Sequence, residues 1–354
     1  MKTFWENKNV LVTGDTGFKG SWLTCLLLRL GSNVSGISLI PDANNKLYKQ
    51  FTVDKNFKSE NFYKNYKHFD LDIRESEKLK NLIKKINPEI VFHLAAQPLV
   101  RESYKNPILT WEVNLMGTIN LLNSVRNLSN CSVVVITTDK VYENFSWPYS
   151  YRENDLLGGT DPYSSSKAAV ELAVKSWRES FYNENIKVST ARAGNVIGGG
   201  DWASDRIVPD IINALINKKT LTLRYPEAVR PWQHVLDPLC GYLKLAKKQI
   251  SSQKSFEYNF GPDSYGNISV KELVAKIVNA WGTKLEIQKI ESELSEKNYL
   301  TLAIDKARSE LNWNPHWGID KSISKTVKWY KNVYKDKSPY LCMLEDINNF
   351  IFDI

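Results

Sequence analysis

Cysteine is scarce: Cys25, Cys131, Cys240 and Cys342 are the only four in 354 residues, and they form neither a CxxC pair nor a metal-ligand spacing. Reduced, mostly buried thiols are expected, and no disulfide framework. The four histidines are dispersed, so no metal site is expected either. No apolar run approaches the about 18–20 residues that span a bilayer. The opening MKTFWENKNVLVTG holds no hydrophobic signal core before the first strand. These absences point to a soluble cytoplasmic protein without a membrane partner. Internal repeats and low-complexity linkers are missing as well. With 42% hydrophobic and 24% charged residues, the chain reads as globular, neither disordered nor fibrous.

Acidic residues are in deficit: 39 against 47 lysines and arginines, for a net charge of +8. The excess is not gathered into a basic face. In NLIKKINPEI and ALINKKTLTL the lysines alternate with apolar helix positions, the pattern of a solvated face. A nucleic-acid partner is therefore not expected, because that needs clustered cations with exposed aromatics. Anionic small molecules such as nucleotides suit the charge.

What is present is alternation. KNVLVTG (8–14) reads as a strand, 17–30 as a helix and SNVSGISL (32–39) as a second strand. Residues 41–66 have no clear period. A strand at 67–73, a helix at 74–86, a strand at 89–95, a helix at 107–127, a strand at 131–137, a helix at 161–184 and a strand at 186–192 complete the run. Such spacing means βαβ crossovers: an α/β fold of the Rossmann-like, doubly wound kind, with a parallel sheet covered on both faces. Beyond 193 the pattern loosens. Glycine and proline cluster at 194–210 and 225–238, and helices near 237–252, 269–281 and 319–335 alternate with short strands. The expected division is a dinucleotide-binding domain of 1–192 plus about 231–258. A smaller mixed α/β lobe for substrate would take about 193–230 and 259–354.

Two motifs carry chemistry. GDTGFKG places Gly14, Gly17 and Gly20 between the first strand and the first helix. So tight a turn needs residues without a Cβ, and the helix start offers free N–H groups to a pyrophosphate. The second strand does not end in the acid that usually holds the adenosine ribose. Ile40 stands there, with Asp42 two residues on, and Lys19 within the turn suits a 2′-phosphate. NAD is expected, and NADP stays open. Asp72 and Ile73, after the third strand, are placed to cover the adenine, or to precede a helix as a cap. The second motif, Tyr163 and Lys167 in YSSSK, sets a phenol and an ammonium on one helical face. A cation beside a phenol favours phenolate, which makes the tyrosine a base for a sugar hydroxyl.

With HLAAQ (93–97) and NLMGTINLL (114–122), these motifs resemble the extended short-chain dehydrogenase/reductase family over nearly the whole chain. More narrowly, GDTGFKGSW, AAQPLVRESY, TTDKVYEN, DPYSSSK, RAGNVIGGGDWA and VRPWQHVLDPLCGYL resemble the CDP-glucose 4,6-dehydratases of that family. The resemblance implies that the end of VVVITTDK faces the nicotinamide. Thr138, Asp139 and Lys140 then join Tyr163 and Lys167 as catalytic groups. It places the cofactor on Gly14, Thr16, Gly17, Phe18, Gly20, Asp72, Ile73, Ala95, Tyr163 and Lys167. It places the substrate, CDP-glucose or a related nucleotide sugar, on Gln97, Arg101, Asn195, Arg206, Arg230 and His234. Trp232 reads as a packing residue, and Asn114 as a support for the site.

The implied reaction is oxidation at C4, loss of water across C5 and C6, and return of the hydride to C6. Asp139 as acid needs a raised pKa and Lys140 as base a lowered one; the division between them stays open. The family implies a homodimer, or a higher assembly, through helices 107–127 and 161–184. The rival readings are a dehydratase or epimerase for another nucleotide sugar, such as a GDP-heptose, and a non-catalytic dinucleotide-binding regulator.

Overall fold

The computed structural model describes residues 2–41, 47–182, 185–252, 256–291 and 297–353. Short apolar runs bounded by turns form the strands β1 (Asn9–Thr13), β2 (Asn33–Ser38), β3 (Tyr66–Asp70), β4 (Ile90–His93), β5 (Cys131–Ile136) and β6 (Ile186–Ala193). With the strand Glu257–Phe260 they make one seven-stranded sheet. Every neighbouring pair runs parallel. From the Glu257–Phe260 edge the order is β6, β5, β4, β1, β2, β3. Burial on both faces explains why β4, β5 and β6 are buried at every position, with no polar alternation to betray them as strands. The strand order reverses between β1 and β4, and the crevice beyond the carboxyl ends there is where open α/β sheets bind ligands.

One sheet face is covered by helices Ser76–Ile86, Gly117–Val125 and Pro162–Ser180, through Leu79, Ile83, Leu121, Leu122, Val170 and Val174. On the other, helices Phe18–Arg29 and Leu236–Ser252 share a core that runs without a break into the later elements. Those are three two-stranded ribbons and helices Ile207–Asn217, Val270–Trp281, Asp305–Leu311, Ile319–Tyr334 and Pro339–Asp353. Trp22, Trp313, Trp317 and Trp329 are buried at this junction. No described helix is long and apolar enough to cross a membrane.

The single helix expected over 107–127 is three pieces. Pro107–Trp111 is α-helical, Glu112–Met116 is a π turn, and Gly117–Val125 resumes the α-helix. The π turn carries Asn114 inward, and such turns occur mostly as local departures near functional sites. The irregular stretch 41–66 holds short helices at Leu47–Thr52 and Lys55–Lys58; Asp42 lies outside the described residues. The third strand ends at Asp70, so Asp72 and Ile73 fall in the turn that follows it.

A buried ion pair ties these parts together. Arg192 on β6 and Glu171 on helix Pro162–Ser180 meet at 2.9 Å, with side chains 2% and 1% exposed. Thr137 and Thr190 donate their hydroxyls to the same carboxylate. Arg192 also donates to Tyr142 Oη and to the Glu153 carbonyl, and Tyr142 donates to Asn259 on the edge strand. Removing one member leaves the other charged and dry, at a cost of about 3–5 kcal/mol. Glu171→Ala is thus expected to lose about that much in chemical denaturation at neutral pH. A loss below about 1 kcal/mol, the worth of a surface pair, would show that the pair does not hold the sheet to its helix.

Candidate active site

The first strand delivers the glycine turn. Gly14 has φ +75°, and a Cβ there would lie 2.6 Å from the Ala95 nitrogen, so the two strand ends can meet only with glycine. Gly20 is as constrained, since its Cβ would fall 2.0 Å from the Gly14 carbonyl oxygen. Gly17 precedes helix Phe18–Arg29, which has no side-chain cap and no acid in its first turn. Its leading N–H groups thus stay available to an anion. Phe18 packs against the core. Thr16 donates its N–H to Ser38 Oγ and its hydroxyl to the Leu39 carbonyl. This cradle fits a dinucleotide.

Behind the turn runs a buried chain of hydrogen bonds. Thr118 donates its hydroxyl to the Asn114 carbonyl, so it accepts from His93 Nε2–H. His93 Nδ1 then accepts from the Thr13 hydroxyl at 2.7 Å. Asn114 donates to Ser166 and to the Gln97 carbonyl and accepts the Gln97 N–H. Thr13, His93 and Asn114 therefore lock β1, β4 and helix Pro162–Ser180 in one register. Burial, with Lys167 nearby, pushes His93 down to about 3.

The catalytic candidates converge at the end of β5. Asp139 is 2% exposed. Thr138 donates its hydroxyl to Asp139 Oδ1 at 3.0 Å, and Oδ2 has no partner among the described residues. Burial raises this carboxyl's pKa, against Lys140, Thr138 and Arg230, which lower it. Tyr163 also meets Thr138, and burial pushes its phenol up to about 12 while Thr138 and Arg206 pull the other way. Burial takes Lys167 down to about 8, against the pull of Glu171 one helical turn on. The Lys167 ammonium donates to the Ile136 carbonyl at 3.2 Å. So the expectation that Lys167 lowers the Tyr163 pKa is not met in this structure: burial outweighs charge, and the groups that favour phenolate are Thr138 and Arg206.

The expectations for His234, Gln97, Asp72 and Ile73 need correction, and the structure places the other residues as follows. His234 does not line a substrate pocket. It is fully buried between Trp22 and Trp317, and its Nδ1 accepts the Leu236 N–H. Burial, then the Lys325 charge, lowers it to about 3. Gln97 uses its amide on its own loop, donating to the Leu99 carbonyl and Thr110 and accepting from Leu99 N–H. Asp72 is held by Arg74 through its backbone and its guanidinium, which is a turn cap. Ile73 is buried, and its end touches Gly117. Arg101 pairs with Asp205 at 3.7 Å, and Arg206 with Asp201 at 2.9 Å. Arg230 is 3% exposed, donates to the Val229 and Lys297 carbonyls, and stands close enough to Asp139 to act on it. Asn195 is half-buried, its carbonyl accepting the Gln233 N–H. Trp232 packs in the core, donating to the Ile268 carbonyl.

Two participants were not expected here. Lys19, read as a possible 2′-phosphate contact, turns the other way. Its ammonium reaches Tyr242 Oη at 3.3 Å and lies near Lys167, Arg206 and Asp139; burial and the two like charges lower it to about 7. The signal was there, a lysine among glycines, but its direction was not. Tyr242, from helix Leu236–Ser252, has its phenol pKa raised by burial and then by the nearby Tyr163; nothing in its helical sequence marks it.

The family model for GDP-mannose 4,6 dehydratase matches residues 11–326. A CDP-glucose 4,6-dehydratase of Salmonella typhimurium is 41% identical, over 99% of this chain and 98% of its own. A UDP-glucuronate 4-epimerase of Thermodesulfobacterium geofontis is 26% identical over 91% of this chain and 95% of its own. In fold, the chain matches a dTDP-glucose 4,6-dehydratase from Bacillus anthracis, solved in complex with NAD. The TM-score is 0.78 at 21% identity, over 94% of this chain and 99% of that one.

The two depressed imidazoles give a pH prediction. His93 and His234 stay neutral in the folded protein down to about pH 3, whereas unfolded histidine takes a proton near 6.5. The unfolded state thus binds more protons below pH 6.5, and stability falls as pH drops from there toward 3. Each imidazole contributes about 1.4 kcal/mol per pH unit. Denaturation midpoints measured from pH 7 to pH 4 should show this slope, and His234→Phe should remove one imidazole's share. An unchanged slope in that variant would mean the His234 ring is hydrated and titrates freely.

Proposed function

The chain belongs to the GDP-mannose 4,6-dehydratase family, and from that premise we propose that it is an NAD-dependent nucleotide-sugar 4,6-dehydratase acting on CDP-glucose. The observation that carries this reading is the acid at the end of β5. Asp139 is buried, its carboxyl pKa is raised, and it shares Thr138 with Tyr163. A reaction confined to C4 has no use for a second, protonated acid beside the phenol; removal of a 6-hydroxyl has. The Salmonella relative names the sugar nucleotide. Residues 1–192 with about 231–258 would hold the dinucleotide, and the remainder the sugar nucleotide. Ile108, Leu109, Trp111, Met116 and Leu172, exposed on the helices of 107–125 and 162–180, suit a homodimer. Four free, buried cysteines suit a reducing compartment such as the cytoplasm.

When bound on the glycine cradle, NAD supplies the hydride acceptor for C4, and in reduced form the donor to C6. Tyr163 takes the proton of the 4-hydroxyl, its phenolate favoured by Thr138 and Arg206. The resulting 4-ketone acidifies the C5 proton. Lys140 removes that proton, and Asp139, held protonated by burial, gives its own to the departing 6-oxygen, so water leaves. Asp139 as acid fits its raised pKa, which supports this division of labour. Lys140 then returns its proton to C5 as hydride reaches C6, and the proton that Tyr163 took from the 4-hydroxyl replaces the one Asp139 gave, so the three residues end as they began. Arg230 and Arg206 suit the diphosphate, since guanidinium grips phosphate oxygens in a fork.

The purified protein, incubated with CDP-glucose and NAD, should form a 4-keto-6-deoxy sugar nucleotide. An alkali-induced absorbance and the loss of one water by mass spectrometry would detect it. Turnover of a different sugar nucleotide would keep the mechanism and move the substrate. No turnover of any, with NAD bound, would favour a regulator. In Asp139→Asn, dehydration should fall by about 10²–10⁴-fold, the worth of a positioned acid, while C4 oxidation, read as NADH absorbance in a single turnover, persists. Full dehydration in that variant would remove Asp139 as the acid.

A further inference from the structure

The second strand lacks the terminal acid that commonly accepts from the adenosine ribose. Ser38 closes β2, and Leu39, Ile40 and Pro41 after it carry no charge. Yet a carboxylate lies directly beneath this strand end. It belongs to Asp15, inside the glycine turn, and is fully buried. Its room comes from Gly36 on β2: a Cβ there would sit 1.9 Å from Asp15 Oδ2.

A carboxylate only accepts, so it fixes the direction of every proton around it. Ser38 donates its hydroxyl to Asp15 Oδ1 at 2.6 Å. Tyr66 donates its hydroxyl to Oδ2 at 2.6 Å, and His68 Nδ1–H donates to the same oxygen at 2.8 Å. Three neighbouring donors are also committed. Thr16 N–H goes to Ser38 Oγ at 3.3 Å, and the Thr16 hydroxyl to the Leu39 carbonyl at 2.9 Å. Ile40 N–H goes to Asp70 Oδ1 at 3.3 Å. Ser38 Oγ and Thr16 Oγ1, 3.0 Å apart, are left with lone pairs and no proton to give. Lys19, the cation of the turn, is engaged at the catalytic end with Tyr242.

We propose that Asp15, acting through Ser38 and Thr16, selects NAD against NADP. A ribose 2′-hydroxyl brings a proton to oxygens that need one. A 2′-phosphate brings only acceptors and negative charge, and among the described residues at this strand end it meets no donor and no cation. Specificity then comes from the mismatch built against the wrong cofactor. His68, protonated or neutral, donates Nδ1–H in either state, so the polarity of the network does not turn on its charge. Asp15 is a positioning residue: it touches no ligand and acts by holding the Ser38 proton inward. The inference rests on the NAD-binding reading above.

The test is calorimetric binding of NAD and of NADP to the full chain, with no substrate present. The wild type should bind NAD about a hundredfold or more tighter than NADP. Asp15→Asn puts an amide where the carboxylate was and releases the Ser38 hydroxyl. The ratio should narrow about tenfold, chiefly through tighter NADP binding. Ser38→Ala removes the acceptor and leaves Asp15 charged with the Tyr66 and His68 donors still on Oδ2, so NAD affinity should drop about tenfold with NADP unmoved. That variant carries the test if Asp15→Asn does not fold, as judged by thermal melting. Equal binding of both cofactors by the wild type overturns the inference. So does a ratio unmoved in folded variants that still bind NAD. A wild type that binds neither cofactor brings down the dinucleotide reading itself, and this inference with it.

Discussion

The active end of this fold depends on one ion pair that never touches it. Glu171 and Arg192 are dry, and a dry carboxylate survives only with its lone pairs filled. Thr137 fills one of them, and Thr137 precedes Thr138, Asp139 and Lys140. The turn that presents the acid is thus tethered to the helix that presents Tyr163 and Lys167, because Glu171 stands on that helix, one turn beyond Lys167. From Arg192 the same network passes through Tyr142 to Asn259, which also donates to the Tyr151 and Ala303 carbonyls. Segments distant in sequence are set against one another by a single charge that must be neutralised.

Burial also decides the chemistry above that pair. It raises acids and lowers bases together, and the site shows both effects side by side: Asp139 up, Lys167 and Lys19 down. For an elimination this is useful. The acid must hold its proton until the 6-oxygen departs, and excluding water from its carboxyl does that without a dedicated partner. The same exclusion works against Tyr163, whose phenol must give its proton up. The arrangement answers with Thr138, which hydrogen-bonds the phenol and Asp139 alike, so a change in the charge of one is felt by the other.

Much of this was legible in the sequence, for identifiable reasons. Strand and helix alternate over the first 190 residues because each crossover covers the sheet, and that gave the parallel topology. The glycine turn was legible because a positive φ at Gly14 and the closeness of Ala95 tolerate no side chain. What escaped depends on tertiary direction. Asp15 reads as a turn former in a glycine loop; that it faces inward to Gly36, Tyr66 and His68 follows only once β2 and β3 lie beside β1. His234 sits in a stretch rich in ligand-type residues, yet two tryptophans from distant segments close over it. Gln97 looked free for a sugar because its loop partners, Leu99 and Thr110, are no sequence signal. The break in helix 107–125 has no proline or glycine at the π turn to mark it; the pull of Asn114 toward Gln97 and Ser166 gives its physical sense.

One consequence of the packing bears on the proposed cycle, in which hydride leaves and returns within one active site and the cofactor has no reason to depart. The helix that starts at the glycine turn is not free to move with respect to the later elements. Trp22, one turn in, donates its indole N–H to the Gly199 carbonyl at 3.0 Å and lies edge-on to His234. Gly199 in turn can only be glycine, because a Cβ there would fall 2.0 Å from the Trp329 ring. The cradle is thereby tied to the RAGNVIGGGDWA loop and, through it, to helix Ile319–Tyr334 within the buried core. Trp22 is fully buried there, and burying a side chain of this size is among the larger single contributions to a fold. A reaction that regenerates its cofactor in place asks for no movement of a cradle anchored in this way.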